Sequence, residues 1–96
     1  MKVDKKIEKK IAKAIEYLKS LGCEEIILFG SLAEGTYDKY SDIDLAVSGI
    51  SPLKYFDAVA VLPSIVDHRV DLIALDYISE DFKNKIRKEG EIIFAT

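Results

Sequence analysis

The chain has 96 residues, the size of one compact domain, so a single unit spanning 1–96 is expected with no room for a second. At 49% hydrophobic residues it can line a modest core, while one cysteine, Cys23, and one histidine, His68, exclude an internal disulfide and a Cys/His zinc cluster. A net charge of −3 argues against sequence-independent binding of nucleic acid over the whole surface. No apolar run reaches the roughly 18 residues of a membrane span, and Met1-Lys2-Val3-Asp4-Lys5-Lys6 does not open a signal peptide. A cytoplasmic protein without membrane contact is the expectation. Charge is uneven: residues 1–20 carry seven lysines against three acids, a balance of +4 that leaves −7 for the rest. The simplest account is a solvated lysine face on an amphipathic helix.

That helix is predicted over 5–21, where Ile7, Ile11, Ile15 and Leu18 recur at helical spacing between an Asp4 N-cap and a Gly22 stop. Glu24 to Phe29 reads as a central strand. Gly30 ends it, and Ser31-Leu32-Ala33-Glu34 fits a capping box that opens a short helix. Asp42 to Val47 alternates acids with Ile43, Leu45 and Val47, which predicts a strand with one buried face and two acids on the other. Pro52 suits the first turn of a helix expected to bury Leu53, Phe56 and Val59 or Ala60 and to end near Pro63. His68 to Leu75 is the third strand. A Ser79-capped helix using Phe82 and Ile86 follows, Gly90 stops it, and Glu91 to Ala95 closes the sheet. The order is α-β-α-β-α-β-α-β, an α/β domain.

The chemistry concentrates in Gly30-Ser31, Asp42-Ile43-Asp44 and Asp71. Residues two apart on a strand point to one side, their α-carbons about 6.6 Å apart, so Asp42 and Asp44 can converge on a cation. Mg²⁺ is commonly held by one or two carboxylates plus water and substrate phosphates. Asp71 is the natural third ligand if its strand neighbours theirs, and Asp67 is the alternative if the register lies earlier. Gly30 lets a phosphate approach the backbone, and Ser31 opens a helix whose free N–H groups attract anions. The glycine spacing of 30–35 imitates a P-loop, but Thr36-Tyr37 stand where Lys-Ser/Thr is required. An EF-hand fails too, with Ala46 and Val47 at positions that need a ligand and a glycine. His68 and Cys23 are expected to be structural, and Tyr37 and Tyr40 to be surface or core residues rather than base-stacking platforms.

Gly30-Ser31, Gly35 and Ser41-Asp42-Ile43-Asp44-Leu45, continued through Arg69-Val70-Asp71-Leu72, resemble the signature of the DNA polymerase β-type nucleotidyltransferases. The size is similar to that of the minimal members, which act as antitoxins to HEPN-domain ribonuclease toxins. The resemblance implies a single-domain polymerase β-type fold with a mixed sheet. It implies two metal ions, Mg²⁺ or Mn²⁺, on Asp42 and Asp44, with Asp71 as a further ligand that helps activate the attacking hydroxyl. Gly30, Ser31 and Ser41 would bind the nucleotide. The activity implied is transfer of AMP from ATP to a hydroxyl, with a tyrosine as the expected acceptor, of a HEPN-type toxin, with no direct nucleic-acid binding. Two other functions stay open: neutralisation of the toxin by binding alone, and small-molecule nucleotidyl transfer completed by a partner subunit. Clustered, self-repelling acids favour the enzyme. Glu34 departs from the family, whose members often carry a basic residue there.

Overall fold

Helices and strands alternate as expected in the computed structural model, which describes residues 3–96: α1 (Lys5–Ser20), β1 (Glu25–Phe29), α2 (Gly30–Glu34), β2 (Ile43–Ser48), α3 (Pro52–Val66), β3 (Val70–Ala74), α4 (Glu80–Glu89) and β4 (Glu91–Ala95). A single 3₁₀ turn over Leu75–Tyr77, absent from the sequence expectation, links β3 to α4. The sheet order is β3-β2-β1-β4, with β1 antiparallel to both neighbours and β2 parallel to β3. The sheet is therefore mixed. No described helix is long and apolar enough to cross a membrane.

The apolar alternation of each strand decides which helices cover it. Ile26, Leu28, Ile43, Leu45, Val47 and Leu72 point to one face and pack with Ile7, Ile11, Ala14 and Leu18 of α1 and Ala58, Leu62 and Val66 of α3. Ile27 and Ala46 point to the other face, where Ile86 of α4 and Leu75 meet them. Asp4 caps α1 by accepting from Ile7 N at 2.9 Å, and Ser79 caps α4 through Phe82 N at 3.2 Å, both as anticipated. Across the second face Arg87 of α4 donates two hydrogen bonds to Glu25 of β1, at 2.6 and 2.8 Å, holding that carboxyl below the usual carboxylate range. Cys23 is buried and its thiol is pushed up to about 11, chiefly by burial, which fits apolar packing rather than reactivity.

Two helices differ from expectation in phase. The third continues through Pro63 to Val66 and buries Ala58, Leu62 and Val66, whereas Leu53, Phe56 and Val59 face solvent. Its sequence is apolar nearly all round, so periodicity alone does not select a stripe; docking on α1 and β3 does, with small Ala58 allowing close approach. Pro63 sits in the last turn, where its missing N–H forfeits one bond, and its carbonyl is taken up by Asp67 N and His68 N. In α4 only Ile86 is buried, and Phe82 is exposed.

Candidate active site

Sheet pairing sets one row of residues across three strands: Asp71 of β3 stands opposite Asp44 of β2, which stands opposite Phe29 of β1. Adjacent strands lie about 4.8 Å apart, and the three side chains share the α4 face. Gly30 follows Phe29 directly. Its φ of +71° turns the chain sharply from strand into helix, and its bare α-carbon rests against the Asp44 carboxylate, whose Cγ would be 2.9 Å from a Cβ built there. The turn needs glycine twice over: for the left-handed backbone and for the room that Asp44 occupies.

The predicted capping box is not formed. The element opens at Gly30 itself with Phe29 before it, no side chain caps it, and Ser31 lies within the first turn with its carbonyl accepting from Gly35 N and Thr36 N. Glu34 falls at the C-terminal end of this one-turn helix. It lines a cavity of about 210 Å³ with Gly30, Lys85 and Glu89. Lys85 brings a cation to this end of the site, at a position that nothing in the local sequence pattern of α4 distinguishes from its other lysines.

Asp42 lies just before β2 rather than in it, and its Oδ1 is 3.2 Å from Arg69 Nε. Among the described residues no group of three or more His, Cys, Asp or Glu side chains is arranged to hold a metal ion by itself. The expected trio is thus an adjacent pair, Asp44 and Asp71, with Asp42 beside it and drawn towards Arg69. Asp44 still feels all of them: burial first, then the charges of Asp71 and Asp42, push its carboxyl from the ordinary 3.8 up to about 6. A cation is what such a donor set lacks, and two carboxylates open to further oxygen ligands match the habit of Mg²⁺.

That shift has a defined sign. Because the native state holds the Asp44 proton more tightly than the unfolded chain does, its contribution to stability is present below about pH 4 and is lost as pH rises towards 6. The metal-free protein is expected to lose stability over that window, and Asp44→Asn to flatten the loss, read as urea midpoints against pH.

The turn that delivers Asp42 is tied from both ends. Ser41 Oγ accepts from Asp38 N at 3.0 Å, Ser41 N donates to Asp38 O, and Tyr40 N donates to Asp38 Oδ1 at 2.8 Å. Ser41 O accepts from His68 Nε2 at 2.7 Å, so Nε2 carries the proton and Nδ1 is left to accept from Lys10 Nζ at 3.3 Å. Lys10 also donates to Asp67 O at 2.8 Å. The structural role expected of His68 is therefore a specific one: it links α1 and the start of β3 to the residue before Asp42. Its signal lies in tertiary contacts and was not available from spacing. His68→Leu should cost about 1–3 kcal/mol by orphaning the Ser41 carbonyl, and His68→Gln, which keeps a donor near the Nε2 position, should recover most of it in urea unfolding. Asp67 is exposed at the C-cap of α3 with φ 53° and takes no part in the acidic row. Tyr40 is exposed with Lys39 Nζ 5.0 Å from its ring centre, and Tyr37 packs against the core.

Comparison with known proteins agrees with this geometry. Residues 9–96 match the family described as "Polymerase beta, Nucleotidyltransferase". The chain is 42% identical over 69 residues to a Haemophilus influenzae protein named "Probable protein adenylyltransferase MntA", covering 68% of this chain and 60% of that protein. It thus spans about three-fifths of that relative's length. A crystal structure of a toxin-antitoxin with AMP-PNP superposes with a TM-score of 0.75 at 30% identity, over 93% of this chain and 73% of the other. The fold also recurs, with a TM-score of 0.64 at 23% identity, in a tri-AMPylated Shewanella oneidensis HEPN toxin in complex with MNT antitoxin, over 91% of this chain and 73% of that one. With the acidic row seated beside a glycine turn, and a family match running from α1 to the last strand, the chain belongs to the polymerase beta nucleotidyltransferase family.

Proposed function

We propose that the protein transfers AMP from ATP to a hydroxyl of a HEPN-type toxin and acts as its antitoxin. The observation that carries this reading is the row Asp71–Asp44–Phe29 with Gly30 packed on Asp44, which puts a carboxylate pair beside a backbone turn suited to phosphate. The H. influenzae relative, named an adenylyltransferase, and the toxin-antitoxin structure holding AMP-PNP support AMP as the group and a toxin as the acceptor.

In this reading the Gly30-Ser31 turn binds the β- and γ-phosphates through backbone N–H groups, with Lys85 adding charge from α4 and Ser41 a hydroxyl. Asp44 lies at the α-phosphate. Asp42, Asp44 and Asp71 would hold Mg²⁺ or Mn²⁺, up to two ions, which when bound with the nucleotide would supply the positive charge that in-line displacement needs on its attacking and leaving oxygens. Asp42 would have to give up its ion pair with Arg69 to join them. Asp71 accepts the proton of the attacking hydroxyl, whose oxygen bonds to the α-phosphorus as the bond to the β-phosphate bridging oxygen breaks and pyrophosphate leaves towards Gly30. AMP on the toxin adds negative charge and bulk where RNA phosphates must bind, a physical route to inactivation.

The test is to supply ATP labelled at the α- or the γ-phosphorus, with Mg²⁺ and the HEPN protein. Label reaching the HEPN protein from the α position alone supports nucleotidyl transfer. Label from the γ position would make the chain a phosphoryl transferase, and label from neither would remove the enzymatic reading.

A further inference from the structure

A second concave feature adjoins the acidic row. An apolar pocket of about 460 Å³ lies around the outer edge of β3, between the start of α3 and the 3₁₀ turn with α4, lined by Tyr55, Phe56, Ile73, Tyr77, Ile78 and Phe82 among others. Phe56 is 67% exposed, Tyr77 60% and Phe82 40%, with Leu53 at 80% beside them. Large apolar side chains grouped in the open around one pocket mark a contact surface rather than scattered surface residues. We propose that this pocket seats apolar side chains of the protein that carries the acceptor hydroxyl, with the carboxylates around it holding that protein's basic surface.

The inference rests on the reaction proposed above and specifies where its acceptor docks. The site has a direction: Gly30 lies beyond β1, Asp44 on β2 and Asp71 on β3. With pyrophosphate departing towards Gly30, in-line attack brings the hydroxyl in from the β3 side. Ile73 is two residues past Asp71 on the same face, about 6.6 Å along the strand, so a segment seated in the pocket presents a neighbouring hydroxyl to Asp71.

An added strand meets competition at the middle of this edge, which favours side chains as the occupant. Ile43 N bonds to Arg69 O, so by alternation Leu72 O faces the outer edge of β3, and there it already accepts from Tyr55 Oη at 2.7 Å. Charge selects the partner further. Asp57, Asp76, Glu80 and Asp81 flank the lining residues in the chain against Lys54, Lys83 and Lys85; Lys83 is paired with Glu80 at 3.3 Å and Asp76 accepts from Gly49 N at 2.9 Å, so the balance stays acidic by one charge. A ribonuclease surface that binds RNA must be basic, and it complements this rim.

Two double variants test the proposal with the HEPN protein: Phe56→Ser/Tyr77→Ser for the apolar contact and Asp57→Lys/Asp81→Lys for the rim. All four positions are exposed, so the fold should tolerate them. Calorimetry measures two affinities, for the HEPN protein and for Mg²⁺–ATP, and sedimentation measures self-association. Each variant is expected to weaken HEPN binding about tenfold or more, the charge pair most strongly at low salt, with Mg²⁺–ATP affinity within about twofold of the parent. Unchanged HEPN affinity in both variants would overturn the proposal. So would weakened Mg²⁺–ATP binding with the HEPN affinity unchanged, which would make the pocket a nucleobase site, or a parent dimer abolished by the serine pair, which would make it a self-association face. Because HEPN affinity is read without turnover, a parent chain that fails to transfer AMP would count against the reaction alone and leave these affinities to decide the docking site.

Discussion

Replacing Asp42 and Asp44 together by Asn is expected to abolish the rise in melting temperature that Mg²⁺ with ATP gives the parent protein. A ligand at about 100 times its Kd that binds only the native state adds about 2.7 kcal/mol. For a chain of this size that is a rise on the order of 10 °C. The double variant removes the half-buried carboxylate whose proton affinity is already raised by its neighbours, so its metal-free stability should equal or exceed the parent's above pH 6. AMP transfer should fall by at least about 10²–10³-fold, the usual cost of removing a group aimed at charge in the transition state. Asp67→Asn is the control, since Asp67 lies outside the row in a left-handed backbone that Asn tolerates, and it should respond to metal as the parent does. A double variant with the parent's full response would remove the acidic row from the account.

Gly30→Ala is expected to damage both the fold and the nucleotide site. Its φ of +71° costs an L-residue about 1–2 kcal/mol, and the new methyl overlaps the Asp44 carboxylate, which must move away from Asp71 or push α2 outward. Gly35→Ala separates the two effects: its φ is +80°, yet a Cβ there meets nothing within 4 Å. Thermal unfolding should therefore place Gly35→Ala several degrees below the parent and Gly30→Ala lower still. Calorimetry should show Mg²⁺–ATP affinity falling about tenfold or more only in Gly30→Ala. Equal behaviour of the two variants would mean that Gly30 serves the backbone alone.

Where a residue pattern has only one solution, the sequence was enough to read it. Strand alternation in Ile43, Leu45 and Val47 has a single buried face, so both the strand and the opposite side for Asp44 follow from the residues. The same holds for Leu72 and Ala74 opposite Asp71. In α3 the pattern has several solutions, because apolar residues surround the helix, and the stripe assigned to the core instead became the exposed Leu53 and Phe56. The opening of α2 turned on one glycine: the element opens at Gly30 itself, which displaces Ser31 from the cap and carries Glu34 to the far end of the turn. Arg69 beside Asp42, Lys85 beside Gly30 and His68 on Ser41 all join residues distant in the chain or on different elements, and no local periodicity encodes them.

The most direct measurement of the central claim is the intact mass of the HEPN protein after incubation with this chain, ATP and Mg²⁺, repeated with the Asp42→Asn/Asp44→Asn variant. The account predicts mass added in whole increments of AMP, together with an equal amount of pyrophosphate, by the parent chain and not by the variant. A HEPN protein that keeps its original mass while both forms of the chain bind and inhibit it equally would contradict the account, and would make the acidic row a bystander to neutralisation by binding.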